Sequence, residues 1–174
     1  MFKSLIAATA LLFVATPASA EVIARTADSF TLSYDVNLET TPNDAVLALV
    51  SVGYWWDGDH TYSGDAANMT LAFTPGGCFC EALADGKIFE HGRVVTLDDD
   101  HLLLNAPLGP LNGRTTRSDL RFSWPETRQG TTLTMTFVVE GAGVGAFADA
   151  VDSVMGVQFA RLARFIEYGE AAAD

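Results

Sequence analysis

AFADAVDSVMGVQFARLARFIEY, residues 146–168, reads as one long amphipathic helix, and the rest of the chain must be arranged to cover its apolar side. Phe147, Val151, Val154, Met155, Leu162, Phe165 and Ile166 recur at the i, i+3, i+4, i+7 spacing of a single face. Asp149, Asp152, Ser153, Arg164 and Glu167 take the other side, with acids early and Arg161 and Arg164 late, the order that the helix dipole favours. Gly141, Gly143 and Gly145 release the chain before it, and Gly169 is suited to the C′ position. At 1.5 Å per residue the helix would be roughly 34 Å long, enough to cross a small domain. Gln158 is the one polar residue in the stripe. A stripe this wide calls for a sheet beneath it.

Upstream, the chain supplies alternating segments. Phe30, Leu32, Tyr34 and Val36 alternate with polar residues, as in a half-buried strand. Thr41-Pro42-Asn43-Asp44 opens a short helical stretch through Ala45 to Tyr54. Residues 54–64, YWWDGDHTYSG, read as a loop whose Trp55 and Trp56 must fold back onto apolar surface. Further alternation follows at Met69–Phe73, Phe79–Leu83, Phe89–Leu97, Leu102–Leu104 and Leu120–Trp124. Leu133, Met135, Phe137 and Val139 form the cleanest strand, directly before the helix. The order of strand, short helices, about six antiparallel strands and a long helix gives an α+β protein, a curved antiparallel sheet gripping its C-terminal helix.

The chain has 174 residues, enough for one domain with a sizeable core. Its first 20 read as a cleaved signal peptide: Lys3, an apolar run from Leu5 to Val14, then Ala18-Ser19-Ala20. That run is too short to span a bilayer. The mature domain would then be 21–174, starting near Glu21, in the periplasm or outside the cell. The net charge of −12 becomes one unit more negative when Lys3 leaves. Such acidity disfavours nucleic acid and anionic lipid surfaces.

Between Leu83 and Lys87, Ala84-Asp85-Gly86 fits a three-residue hairpin loop. Leu83 would then face Lys87, Glu81 Phe89, and Phe79 His91, placing odd positions, Val95 among them, on the side that meets the helix. A two-residue Asp85-Gly86 turn would instead oppose Glu81 to Glu90 and set Cys80 beside His91, which like-charge repulsion disfavours. Glu81 and His91 in apolar surroundings have the chemistry of an acid–base pair, or of a buried ion pair that pins the hairpin. Cys78 and Cys80 with His60 and His91 offer a Cys₂His₂ metal set, although Cys-x-Cys is not the usual zinc spacing. A Cys78–Cys80 bridge would need a kinked strand, since Cβ atoms two residues apart on a straight strand are roughly 6.5 Å apart. No phosphate-binding loop, G-x-S-x-G elbow or H-E-x-x-H is present.

The strings WWDGDHTYSGDAANMTL (55–71), GGCFCEAL (76–83), EHGRVV (90–95), APLGPL (106–111) and AVDSVMGVQFARLARF (150–165) resemble secreted bacterial members of the SRPBCC superfamily, the START-like helix-grip proteins, polyketide cyclase-like ones among them. The likeness runs from about Phe30 to Gly169. It implies an elongated, mainly apolar cavity between sheet and helix. Three functions are open on these grounds. The first is a monomer, without cofactor, that holds a small hydrophobic molecule between walls of Trp55, Trp56, Phe79 and Trp124 and the polar groups His60, Glu81, His91 and Gln158. The second is a cyclase- or hydrolase-type enzyme using Glu81 and His91, and the third a closed-core partner-binding protein.

Overall fold

The computed structural model describes residues 21–171, so the expected signal peptide lies outside the described residues. Nine strands form one sheet. They are β1 (Glu21–Arg25), β2 (Ser29–Leu38), β3 (Met69–Leu71), β4 (Cys78–Ala82), β5 (Ile88–Leu97), β6 (His101–Asn105), β7 (Arg117–Ser123), β8 (Glu126–Thr127) and β9 (Gly130–Glu140). Three α-helices, α1 (Pro42–Val50), α2 (Val52–Trp55) and α3 (Ala148–Tyr168), and four short 3₁₀ helices complete the order among the described residues. The sheet runs β1-β2-β9-β7-β6-β5-β4-β3, with β8 paired to β9, and all pairs are antiparallel. Among the described residues no helix is long and apolar enough to cross a membrane.

The core follows the strand period. In β9, Thr131, Leu133, Met135, Phe137 and Val139 are buried while their neighbours are half-exposed, the signature of one covered face. In α3 the buried set is Ala148, Val151, Met155, Gln158, Phe159 and Leu162. Phe159 was absent from the expected stripe, yet it completes the step from Met155 to Leu162, and Phe147, Phe165 and Ile166 pack at the margin. Gly169 closes the helix at φ 73°, as its type predicts.

Tyr34 clamps α3 to the sheet. Its ring stacks on Phe159 at 5.6 Å between centroids, and its hydroxyl donates to Asp152 Oδ1 at 2.7 Å. Burial, and then that carboxylate, raise the phenol pKa well above the ordinary tyrosine value, so the hydroxyl stays a donor. Arg25 reaches Asp149 at 2.8 Å on the outside of the same turn.

Two expectations need correction. The helical stretch ahead of the tryptophans is broken at Ser51 (ψ 42°), whose hydroxyl returns to Leu47 O at 2.7 Å. Trp55 therefore ends α2 and is not in a loop. It is 2% exposed and donates to Leu49 O, while Trp56 is 5% exposed and donates to His60 O.

β5 also departs from the expected register. The hairpin turn is the three-residue one, with the Leu83 N–H donating to Lys87 O at 2.8 Å and Glu81 opposite Phe89. Beyond it the ladder runs Cys80↔Glu90 and then Phe79↔Gly92, so His91 is an extra residue in a bulge. Phe79 therefore opposes Gly92 and not His91. Gly92 lies so close to β6 that a Cβ there would meet Ala106 Cβ and Asn105 O, both at 2.7 Å. A second bulge follows at Val95, between the pairs Val94↔Leu104 and Thr96↔Leu103. One extra residue inverts the faces, so Val94 is buried and Val95 is 51% exposed, the reverse of simple alternation.

Candidate functional site

Three consecutive residues of β4, Phe79, Cys80 and Glu81, are buried, and the interior site starts from them. Cys78 and Cys80 are bridged, with Cα atoms 5.4 Å apart, shorter than two steps of a regular strand. This contraction stands across from the His91 bulge, where β5 carries the extra residue. With both sulfurs in the bridge, neither cysteine offers a thiolate. Among the described residues no three of His, Cys, Asp and Glu are grouped to hold a metal ion.

Glu81 has no solvent exposure. Its Oε2 accepts from His91 Nε2 at 2.8 Å and from the Tyr62 N–H at 3.0 Å, and its Oε1 accepts from the Ser63 N–H. Burial alone would raise its pKa. The hydrogen bonds from Ser63, from the Tyr62 N–H and from His91 outweigh burial and hold the carboxyl below the usual glutamate value. An ionised carboxylate only accepts, so Nε2 of His91 carries a proton, and in the neutral ring Nδ1 keeps its lone pair. Nδ1 has no hydrogen-bond partner among the described residues.

The His91 ring lies among aromatics. Phe89 is 4.9 Å away in an edge contact, Phe79 5.4 Å, and Tyr62 5.6 Å in a stacked one. Phe79 in turn meets Trp56 edge-on at 5.4 Å. Two backbone N–H groups of the 60–63 segment thus end on a carboxylate in β4. That is how a surface loop becomes a fixed wall.

Behind that wall is a cavity of about 280 Å³. Trp56, His60, Thr61 and Tyr62 line it from one segment, and His91 lines it from β5. Leu108, Gly109 and Pro110 come from the connection after β6, and Ala150, Val151, Val154 and Met155 from the first turns of α3. His60 repeats the His91 arrangement at the rim: its Nδ1 is 3.1 Å from Asp57 Oδ2, and Asp57 Oδ1 accepts the Asp59 N–H.

Of the residues singled out in the sequence, Trp56, His60 and His91 line this cavity, and Glu81 stands directly behind His91. Trp55 and Phe79 back the aromatic wall without lining it. Gln158 is fully buried, and its Oε1 accepts from the Asp57 N–H at 2.9 Å, so it braces the loop from α3. Its Nε2 is sealed with no partner. Trp124 is elsewhere, donating to Asp99 O beside a wide surface groove that also touches Phe73 and the Asp98–Asp100 turn. Tyr62, Val154 and the Leu108–Pro110 loop were not anticipated. Tyr62 stood in the quoted aromatic stretch, but nothing in its spacing marks it as a wall.

No family model matches the chain, and no curated protein does. Solved structures match along most of its length. An uncharacterised protein from Rhizobium leguminosarum superposes with a TM-score of 0.58 at 19% identity, over 82% of this chain and 97% of that one. The di-domain ARO/CYC protein BexL, from the BE-7585A biosynthetic pathway, gives 0.55 at 15% identity over 88% of this chain and 53% of BexL. StfQ, the di-domain ARO/CYC protein of the steffimycin pathway, gives 0.52 at 13% over 83% and 52%. The chain has a helix-grip fold. At these identities the likeness carries the fold alone, and this chain spans about half of each ARO/CYC protein. What the helix-grip fold contributes here is the placement: α3 packs on the sheet against β1 and β2, and its first turns line the cavity together with His91 of β5.

Proposed function

We propose that this protein is an exported binding protein that holds one small apolar molecule between α3 and the 56–62 segment. The observation that carries the reading is the cavity itself, walled by Trp56, Tyr62, Leu108, Val151, Val154 and Met155 and reached by only a few polar groups. An apolar cavity of about 150 Å³ already admits a benzene-sized molecule, so 280 Å³ suits a body of two or three fused or linked rings. The leader expected at residues 1–20 and the Cys78–Cys80 bridge support an oxidising compartment.

The test is titration with N-phenyl-1-naphthylamine, following dye enhancement and tryptophan quenching. Saturable binding is expected, and Val154→Trp, which fills the space from α3, should abolish it without lowering thermal stability. Equal binding by that variant, or none by the native protein, would overturn the proposal. A second reading draws on the 2.8 Å His91–Glu81 contact, which gives the cavity a base for proton transfer on a bound molecule.

A further inference from the structure

We infer that the cavity selects molecules presenting a neutral hydroxyl donor on a flat apolar body, because both of its histidines are held as hydrogen-bond acceptors. The inference rests on the binding reading above and names the chemistry of the ligand.

Each imidazole is tied at one nitrogen to a carboxylate that does not line the cavity. Nε2 of His91 is held by Glu81, and Nδ1 of His60 by Asp57. Carboxylates accept, so in the neutral imidazole each tied nitrogen carries the proton and the other nitrogen is a lone-pair acceptor. Neither His91 Nδ1 nor His60 Nε2 has a partner among the described residues. His91 is only 6% exposed, yet Gln158 Nε2 is the sole buried side-chain polar atom both sealed and unpartnered among the described residues. Nδ1 of His91 is therefore not sealed, and His91 is one of the residues that line the cavity.

The two positions have different uses. His91, deep among Phe79, Phe89 and Tyr62, offers an acceptor where water is scarce and an unmet hydrogen bond costs most. His60, at 36% side-chain exposure, offers a second acceptor at the rim, where water can replace a missing donor.

Charge narrows the class further. Glu81 and Asp57 stand immediately behind the two rings, and the chain as a whole has a net charge of −12. A ligand carboxylate or sulfonate would face two anions with no cationic side chain on the cavity wall. A phenol or enol meets neither penalty and donates to Nδ1. A ketone or ether brings only an acceptor, which leaves Nδ1 unpaired.

The experiment compares 2-naphthol, 2-methoxynaphthalene and 2-naphthoate by fluorescence titration of the native protein. 2-Naphthol is expected to bind roughly tenfold or more tightly than its methyl ether, the ratio of one buried hydrogen bond, and the naphthoate more weakly than either. His91→Phe should bring the naphthol and ether affinities together, whereas His60→Phe should leave most of the preference. Because His91→Phe strips Glu81 of a partner and can fail to fold, nitrogen NMR of the native histidines is a second readout. Nδ1 of His91 should move on adding naphthol and stay on adding the ether. Equal affinity for naphthol and ether, or a preference that survives His91→Phe, would overturn the inference while leaving apolar binding intact. If none of the three binds, the binding reading falls with it.

Discussion

Glu81→Gln is the substitution that best tests how the cavity wall is held. The two side chains have the same shape, but glutamine offers one acceptor oxygen where the carboxylate offers two. Glu81 meets three donors: His91 Nε2, the Tyr62 N–H and the Ser63 N–H. Whichever way the amide turns, its NH₂ faces at least one of those donors, and a partner is left buried. A hydrogen bond to a charged group contributes about 1.5–3 kcal/mol. Losing one bond outright and weakening the others should cost about 2–4 kcal/mol in all. For a domain of this size about 2–4 °C of Tm accompanies each kcal/mol, so thermal unfolding by circular dichroism should show a fall of about 4–16 °C. The pH dependence supplies an independent check. The folded pKa of Glu81 is lowered, so its contribution is present above the unfolded value of about 4.3 and is lost as pH falls through the folded value. Native protein should lose stability over that acid window, and Glu81→Gln should lose less there. A variant within about 0.5 kcal/mol of native, with the same acid slope, would show that the carboxylate does not hold the 60–63 segment.

Other substitutions test separate parts of the structure. Tyr34→Phe keeps the stack on Phe159 but loses the bond to Asp152, and should cost about 1–2 kcal/mol in denaturant unfolding. Since the folded pKa of Tyr34 is raised, its contribution is complete below the unfolded value of about 10 and is lost as pH rises beyond it; an alkaline slope unchanged by the substitution would refute the assignment. Replacing both cysteines by serine opens a loop of only three residues, for which chain entropy predicts a loss of about 1.6 kcal/mol. A fall in Tm of about 10 °C or more would mean the bridge does more than that. Gln158→Leu exchanges one lost bond, from the Asp57 N–H, for relief of a sealed unpartnered NH₂, so chemical unfolding should register a net change within about 1 kcal/mol.

The fold was legible because its two periods are clean. Leu133 to Val139 alternates without interruption through the central strand, and the Val151-Met155-Leu162 spacing repeats along α3. Phe159 lies outside the expected stripe, which runs through Val154 and Gln158, although i+4 from Met155 reaches it. The site was legible as far as its residue types went: Glu81 and His91 do meet, at 2.8 Å. What brings them together was not. Alternation predicts which way a side chain points only while two strands stay in step; Gly92, inside the strand pattern, is the one residue type that hints at the first bulge, and nothing marks the second at Val95. Nor does any residue identity announce that the backbone N–H groups of Tyr62 and Ser63 will end on a carboxylate 18 to 19 positions away. Those contacts are main-chain and long-range, and side-chain patterning is blind to both.

β5 holds two residues more than the straight path along its neighbours requires, one at His91 and one at Val95. Surplus length of this kind makes the strand a counter. Removing His91 would let Phe79 and Cys80 pair with consecutive residues, Gly92 and Glu90, with the hairpin turn and all later pairs of β5 unchanged. Gly92 and Val94 would keep their inward side, because the deletion takes out only the surplus residue. What goes is the imidazole, and with it the side-chain partner of Glu81. One residue of this cavity wall can thus be added or removed while the rest of the sheet keeps its register.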